Sequence, residues 1–116
     1  SAMASILVVD DEANIRRMVG RLLEAEGFRT LEAPDGRAAV EAVQAEEPDL
    51  VLLDLAMPEL DGLAALERLR NARPDLPVIM MSGRATLSDA VRATKLGAFH
   101  FIEKNKDTSL KILLEM

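Results

Sequence analysis

The chain contains no cysteine. That excludes a disulfide scaffold, a structural zinc-cysteine site and a thiol nucleophile. Cations are scarce beside anions: fourteen Lys and Arg stand against twenty Asp and Glu, giving a net charge of −6 and a pI near 4.8. Binding nucleic acid through phosphate neutralisation needs the opposite sign, so direct DNA binding is not expected. Long apolar runs are missing too. The longest span a few residues, far short of the roughly 20 that cross a bilayer, and no basic-then-apolar leader opens the chain. A soluble, cytoplasmic protein is expected, with no membrane partner. Glycines and prolines fall singly, and no repeat or linker-like stretch interrupts the interior.

What remains is a length of 116 residues with 49% hydrophobic content, enough for one domain with its own core. Ser1-Ala2-Met3 resembles the remnant of a cleaved tag, which leaves 4–116 as the expected domain, and the apolar pattern still running at Met116 suggests a truncated last helix. Ile6-Leu7-Val8-Val9 is too short for a helix and rich in β-branched residues, so it reads as a strand buried on both faces. Ile15, Met18, Val19, Leu22 and Leu23 follow the spacing of one helix face, with Gly27 at the position of a left-handed cap. The alternation then repeats. Phe28 to Ala33 is a strand closed by Pro34-Asp35-Gly36, and Ala39, Val40 and Val43 mark a helix ended by Pro48. Leu50 to Leu53 and Val78 to Met81 are strands; Leu63, Leu66 and Leu69 form a helix stopped before Pro74. Leu87, Ala90, Val91 and Thr94 give a fourth helix capped by Gly97, Phe99 to Glu103 a fifth strand, and Leu110, Leu113 and Leu114 a last helix. Five βα units with right-handed crossovers predict an α/β fold, a parallel sheet with helices on both faces. The six methionines read as core filler and a start codon, and His100, the only histidine, as a surface residue of the last strand.

In such open sheets ligands bind beyond the carboxyl ends of the strands, where strand order reverses. The polar residues ending the strands are Asp10-Asp11-Glu12, Asp54, Ser82-Gly83 and Lys104. Two carboxylates about 4 Å apart repel by roughly 4 kcal/mol at an effective dielectric of 20, so three together make a cation trap. Oxygen ligands suit Mg²⁺, which takes one or two protein carboxylates and keeps several waters. A carboxylate left over could attack phosphorus to form an acyl phosphate, with metal, ammonium and hydroxyl spreading the charge. Each residue also has a plainer role. Asp10 and Asp11 could cap the first helix, Asp54 and Ser82-Gly83 could be turn residues, and Phe101 could be core.

Taken in order, Ile6-Leu7-Val8-Val9-Asp10-Asp11-Glu12, Asp54-Leu55-Ala56-Met57-Pro58 with Asp61-Gly62, Met81-Ser82-Gly83, and Gly97-Ala98 followed by Phe101 and Lys104 resemble the receiver domain of two-component response regulators. The resemblance runs from about Ile6 to Lys104. It implies a doubly wound sheet of five strands in the flavodoxin-like order 2-1-3-4-5. It further implies that Asp54 accepts a phosphoryl group from a histidine kinase. Asp11 would bind Mg²⁺ directly, Asp10 mostly through water, and the Ala56 carbonyl and Asp54 would complete the protein's share of the metal site. Ser82 and Lys104 would attend the phosphoryl group, and Ser82 with Phe101 would form a switch read out on the fourth helix, last strand and last helix, a surface also fit for a homodimer. Such a domain is no metabolic enzyme, since it catalyses only its own phosphorylation and dephosphorylation. The stretch from Ser82 to Leu87 through Lys95 to Phe99 is similar to receivers attached to ATPase activators of sigma-54-dependent transcription, which implies an output module outside this chain. Asn105 stands where the family usually has proline after the lysine, so a trans Lys104-Asn105 bond is expected.

Two functions of other classes compete. A phosphatase of the haloacid-dehalogenase type would also use an aspartyl nucleophile at a strand end, but it places an acid two residues later, where this chain has Ala56. A flavin or nucleotide binder would want a glycine- or hydroxyl-rich loop after the first strand, where Asp10-Asp11-Glu12 would repel a phosphate.

Overall fold

The computed structural model describes residues 4–54, 62–82, 91, 94–98 and 100–103, with residues 82 and 100–103 given by their backbone. The elements are β1 (Ser5–Val9), α1 (Ala13–Ala25), β2 (Arg29–Ala33), α2 (Gly36–Glu46), β3 (Leu50–Asp54), α3 (Gly62–Ala72), β4 (Val78–Ser82) and β5 (His100–Glu103). All strand pairs are parallel, in the order β2-β1-β3-β4-β5. This is the expected α/β sheet, with each strand boundary within one residue of the sequence reading. Residues 91, 94 and 95 of the expected fourth helix are helical. The expected last helix lies outside the described residues. Among the described residues no helix is long and apolar enough to cross a membrane.

Strand alternation divides the core between two faces. Leu7, Val9, Val51, Leu53, Val78 and Met80 pack with Ala39 and Val43 of α2 and with Ala65, Leu66 and Leu69 of α3. Ile6, Val8, Leu52, Ile79 and Met81 pack on the other side with Val19 and Leu23 of α1. Helices therefore cover both faces, and the three inner strands are apolar on both because water reaches neither. Burying each such side chain is worth about 1.5–3 kcal/mol. The edge strand β2 buries fully only Ala33, which explains why Arg29 to Ala33 lacks the continuous apolar run of the inner strands.

The apolar stripe of α1 differs from the expected one. Val19 and Leu23 are buried, but Met18 is 47% and Leu22 42% exposed. Residues advance by about 100° around a helix, which centres the buried stripe between Val19 and Leu23 and turns Met18 and Leu22 outward. Gly20 is buried instead, and a Cβ there would lie 3.6 Å from the Thr30 hydroxyl, so the helix runs close over β2. Met18 is thus not core filler, whereas Met80 and Met81 are. The surface position expected for His100 concerns a side chain outside the described residues.

The helix ends follow their local chemistry. Asp35 caps α2 by accepting from the Ala38 amide at 2.8 Å, and the helix closes at Glu47 in the left-handed region, just before Pro48. Gly27 closes α1 at φ +94°, its amide donating to Glu24 O while the Phe28 amide donates to Leu23 O. Gly97 holds φ +101° and donates to Thr94 O. A Cβ on Gly97 would come within 2.9 Å of Arg70 Nε, and Arg70 Nη1 in turn donates to Leu76 O at 3.0 Å. At Gly27 no atom lies within 4 Å of such a Cβ. Gly27→Ala should therefore lose about 1 kcal/mol from backbone strain alone, and Gly97→Ala about 2–3 kcal/mol from strain plus displacement of Arg70. Denaturant unfolding checks the ranking, and pairing Gly97→Ala with Arg70→Ala should recover part of the loss.

Candidate metal centre

The centre follows from strand register. β1 and β3 pair Val8 with Leu52 and Val9 with Leu53, and one further step sets Asp10 beside Asp54. Successive side chains alternate between sheet faces, so Asp10 shares the α1 face with Val8, and Asp54 shares it with Leu52. Both carboxylates are therefore enclosed. Asp10 is fully buried and Asp54 is 3% exposed. Asp11 follows in the turn and is exposed. One carboxylate oxygen from each of Asp10, Asp11 and Asp54 lies within 4.8 Å of the others.

The turn between β1 and α1 is held by a short set of bonds. The Asp10 amide donates to Ala33 O at 3.2 Å, continuing the tie to β2 by one residue. The Glu12 amide donates to Asp10 Oδ1 at 2.9 Å, and the Arg16 amide to Glu12 O at 3.1 Å. The Arg16 guanidinium donates through Nη1 to the Asp10 carbonyl at 2.7 Å and through Nε to Glu32 Oε1 at 3.1 Å. Glu12, not Asp10 or Asp11, occupies the N-cap position of α1, and its side chain makes no capping bond. The alternative role of the two aspartates as helix caps is therefore not the one they take.

The other candidate residues are placed to different extents. Ser82 ends β4 one residue beyond Met81, which pairs with Asp54, and Ser82 itself pairs with Glu103. Phe101 pairs with Met80 in the backbone of β5. The side chains of Ser82 and Phe101, and all of Ala56, Lys104 and the Lys104-Asn105 bond, lie outside the described residues. Arg16 and Glu32 were not among the candidates. The available signal was Arg16 itself, a cation on the side of the α1 stripe toward Val19 and Leu23.

An all-oxygen donor set with two enclosed carboxylates fits a hard divalent cation. At 4.8 Å two unit charges still interact by roughly 3.5 kcal/mol at an effective dielectric of 20, so a cation held there would relieve a repulsion that folding imposes.

Comparison with known proteins agrees with this geometry. The response regulator receiver domain family matches residues 6–114. Regulatory protein AtoC of Escherichia coli K12 is 41% identical over 107 residues, which cover 92% of this chain and 23% of AtoC. The crystal structure of the receiver domain of NtrX from Brucella abortus superposes with a TM-score of 0.87 at 42% identity, over 95% of this chain and 94% of that one. A response regulator from Burkholderia pseudomallei, crystallised with a phosphorylated aspartic acid, a calcium ion and citrate, gives 0.87 at 26% identity over 96% and 64% of the two chains. The chain spans about a quarter to two fifths of the curated relatives it first matches.

Mg²⁺ at about 100 times its dissociation constant should stabilise the fold by about 2.7 kcal/mol. In Asp11→Asn that gain should fall by at least half, while the metal-free melting temperature should equal or exceed the wild-type value because one like charge is gone. Thermal unfolding with and without Mg²⁺ reads both effects.

Proposed function

Because the chain belongs to the response regulator receiver domain family, we propose that it is the phosphoacceptor switch of a two-component system, phosphorylated on Asp54 by a partner histidine kinase. The observation that carries this reading is the enclosed Asp54 carboxylate at the end of β3, with the carboxylates of Asp10 and Asp11 within 4.8 Å. A nucleophile there sits at the strand-order reversal between β1 and β3, where open α/β sheets bind ligands. The Burkholderia relative carries a phosphorylated aspartic acid and a calcium ion, the pair of features this chemistry requires.

In the proposed step an Asp54 oxygen attacks the phosphorus of a phosphohistidine. The P–N bond breaks, its electron pair stays on the imidazole, and an acyl phosphate is left on Asp54. Asp11 would hold Mg²⁺ directly, Asp10 mostly through water, and Asp54 with the Ala56 carbonyl would supply the remaining protein oxygens. The ion's contribution is neutralisation of charge on the phosphoryl oxygens. Lys104 pairs with the phosphoryl group and the Ser82 hydroxyl hydrogen-bonds it. In this reading the kinase docks on α1, where Asn14, Arg17, Met18, Arg21 and Leu22 line a surface hollow. Exposed Met18 and Leu22 supply apolar contact, and the two arginines supply charge opposite to that of the chain as a whole.

Residues 4–116 form the receiver unit in this reading, working in the cytoplasm. The signal leaves through the fourth helix, β5 and the last helix, by movement of Ser82 toward the phosphoryl group and of Phe101 into the space released. The same surface serves a homodimer. An output module outside this chain, of the sigma-54-activator kind, would convert the change into control of transcription.

Acetyl phosphate with Mg²⁺ should add one phosphoryl group per chain, read by intact-mass spectrometry, and Asp54→Asn should abolish the adduct while the circular dichroism of the fold persists. Labelling of the variant at the wild-type level would reject the assignment, and multiple turnover of phosphate esters would point to a hydrolase. Beryllofluoride, a phosphoryl mimic, should change amide exchange at residues 94–103 more than in α2. A response limited to the neighbours of Asp54 would make the domain a phosphoryl carrier without a switch.

A further inference from the structure

The Asp10 carbonyl lies beyond the strand ladder, because β2 ends at Ala33 and the pairing of β1 with β3 ends at Val9 and Leu53. Its acceptor role is filled by a side chain from the next element. Arg16 Nη1 donates to it at 2.7 Å, short for an N–H···O bond as expected of a charged donor, and Glu32 on the neighbouring strand takes Arg16 Nε at 3.1 Å. The arginine is largely enclosed, with its side chain 17% exposed. We propose that Arg16 is a positioning residue for the cation site: held by Glu32, it fixes the peptide between Asp10 and Asp11 and thereby aims the exposed Asp11 at the two buried carboxylates. The proposal rests on reading the three aspartates as a cation site.

The geometry favours orientation over charge. Asp10 is fixed on both sides of its Cα, by its amide to Ala33 and by its own carboxylate to the Glu12 amide. Asp11 therefore leaves the chain between two held peptides, the one after it tied by the Glu12 amide to Asp10 Oδ1 and the one before it tied by the guanidinium. A planar guanidinium engaged at two of its nitrogens cannot swivel, whereas a lysine would bring one point charge on a flexible stem. The two roles predict opposite signs. A cation acting by charge alone would oppose Mg²⁺, and its removal would tighten binding. A positioning residue would weaken binding when removed, commonly by 10–100-fold for groups that orient metal ligands.

The test uses the 116-residue chain as wild type, Arg16→Met, Arg16→Lys and Glu32→Gln, each checked as folded by circular dichroism at the working temperature. Mg²⁺ affinity is measured by titration calorimetry, and amide exchange of metal-free protein is followed at Asp11, Glu12, Val19 and Leu23. Arg16→Met should raise the Mg²⁺ dissociation constant about tenfold, Arg16→Lys should recover less than half of that loss on a logarithmic scale, and Glu32→Gln should lose less than either. Exchange should quicken at Asp11 and Glu12 in Arg16→Met and stay unchanged at Val19 and Leu23. Unchanged or tighter Mg²⁺ binding in Arg16→Met, or full recovery by Arg16→Lys, would overturn the proposal. If the wild type binds no Mg²⁺, the cation-site reading fails by itself, and exchange at Asp11 then decides whether Arg16 fixes the turn.

Discussion

A slip of one residue between β1 and β3 would turn Asp10 and Asp54 to opposite faces of the sheet and send every apolar side chain of the slipped strand toward the wrong helices. The pairing of Val8 with Leu52 and Val9 with Leu53 therefore does two things at once. It fills both core layers, and it brings two carboxylates side by side at the strand ends. The core enforces the site. Val8 and Leu52 are completely buried against the α1 face, so the register is specified by apolar burial, while the carboxylates two residues beyond them repel.

That division explains which parts of the protein were legible in its residues. Val8, Val9, Leu52 and Leu53 are apolar on consecutive positions because both faces are covered, and Asp10 and Asp54 break those runs at their carboxyl ends. The strands and their parallel sense follow from those few residues and the handedness of crossovers, whereas the strand order came only with the resemblance to receiver domains. The α1 stripe was less legible. Hydrophobicity alone includes Met18 and Leu22, yet the inward positions go to Gly20, which has no side chain to count, and the flank goes to Arg16, which has the wrong polarity. Both exceptions have a spatial cause: the helix passes close over Thr30, and a strand end nearby carries a carbonyl that the ladder does not serve. Neither cause is local in sequence. Glu32 was invisible for the same reason, since only the pairing of β1 with β2 brings it near Arg16.

The plainer roles of the acidic residues separate on the same grounds. Asp35 is a cap, with its carboxylate on the Ala38 amide and an extended backbone ahead of α2. Asp10 is not, although it too precedes a helix. Its carboxylate bonds the amide two residues on, in the turn, and leaves the cap position to Glu12. Residue type is alike in the two cases, but Asp35 stands directly before Gly36, the first residue of α2, whereas Asp10 stands three residues before Ala13, the first of α1. Their strands differ as well, since Asp10 extends a strand with neighbours on both sides and Asp35 follows an edge strand.

Two carboxylates enclosed side by side, with a third within 4.8 Å, oppose folding by themselves, and the buried layers on both faces of the sheet offset that opposition. A cation held by these carboxylates would relieve that opposition. Stability and ligand binding are then coupled through one group of residues, because whatever relieves the repulsion at the end of β3 also stabilises the strands that end there. β4 pairs directly with β3, placing Met81 beside Asp54, and β5 pairs with β4 through Phe101 and Met80. The backbone ladder thus runs unbroken from the end of β3 at Asp54 through β4 to β5 at the far edge of the sheet.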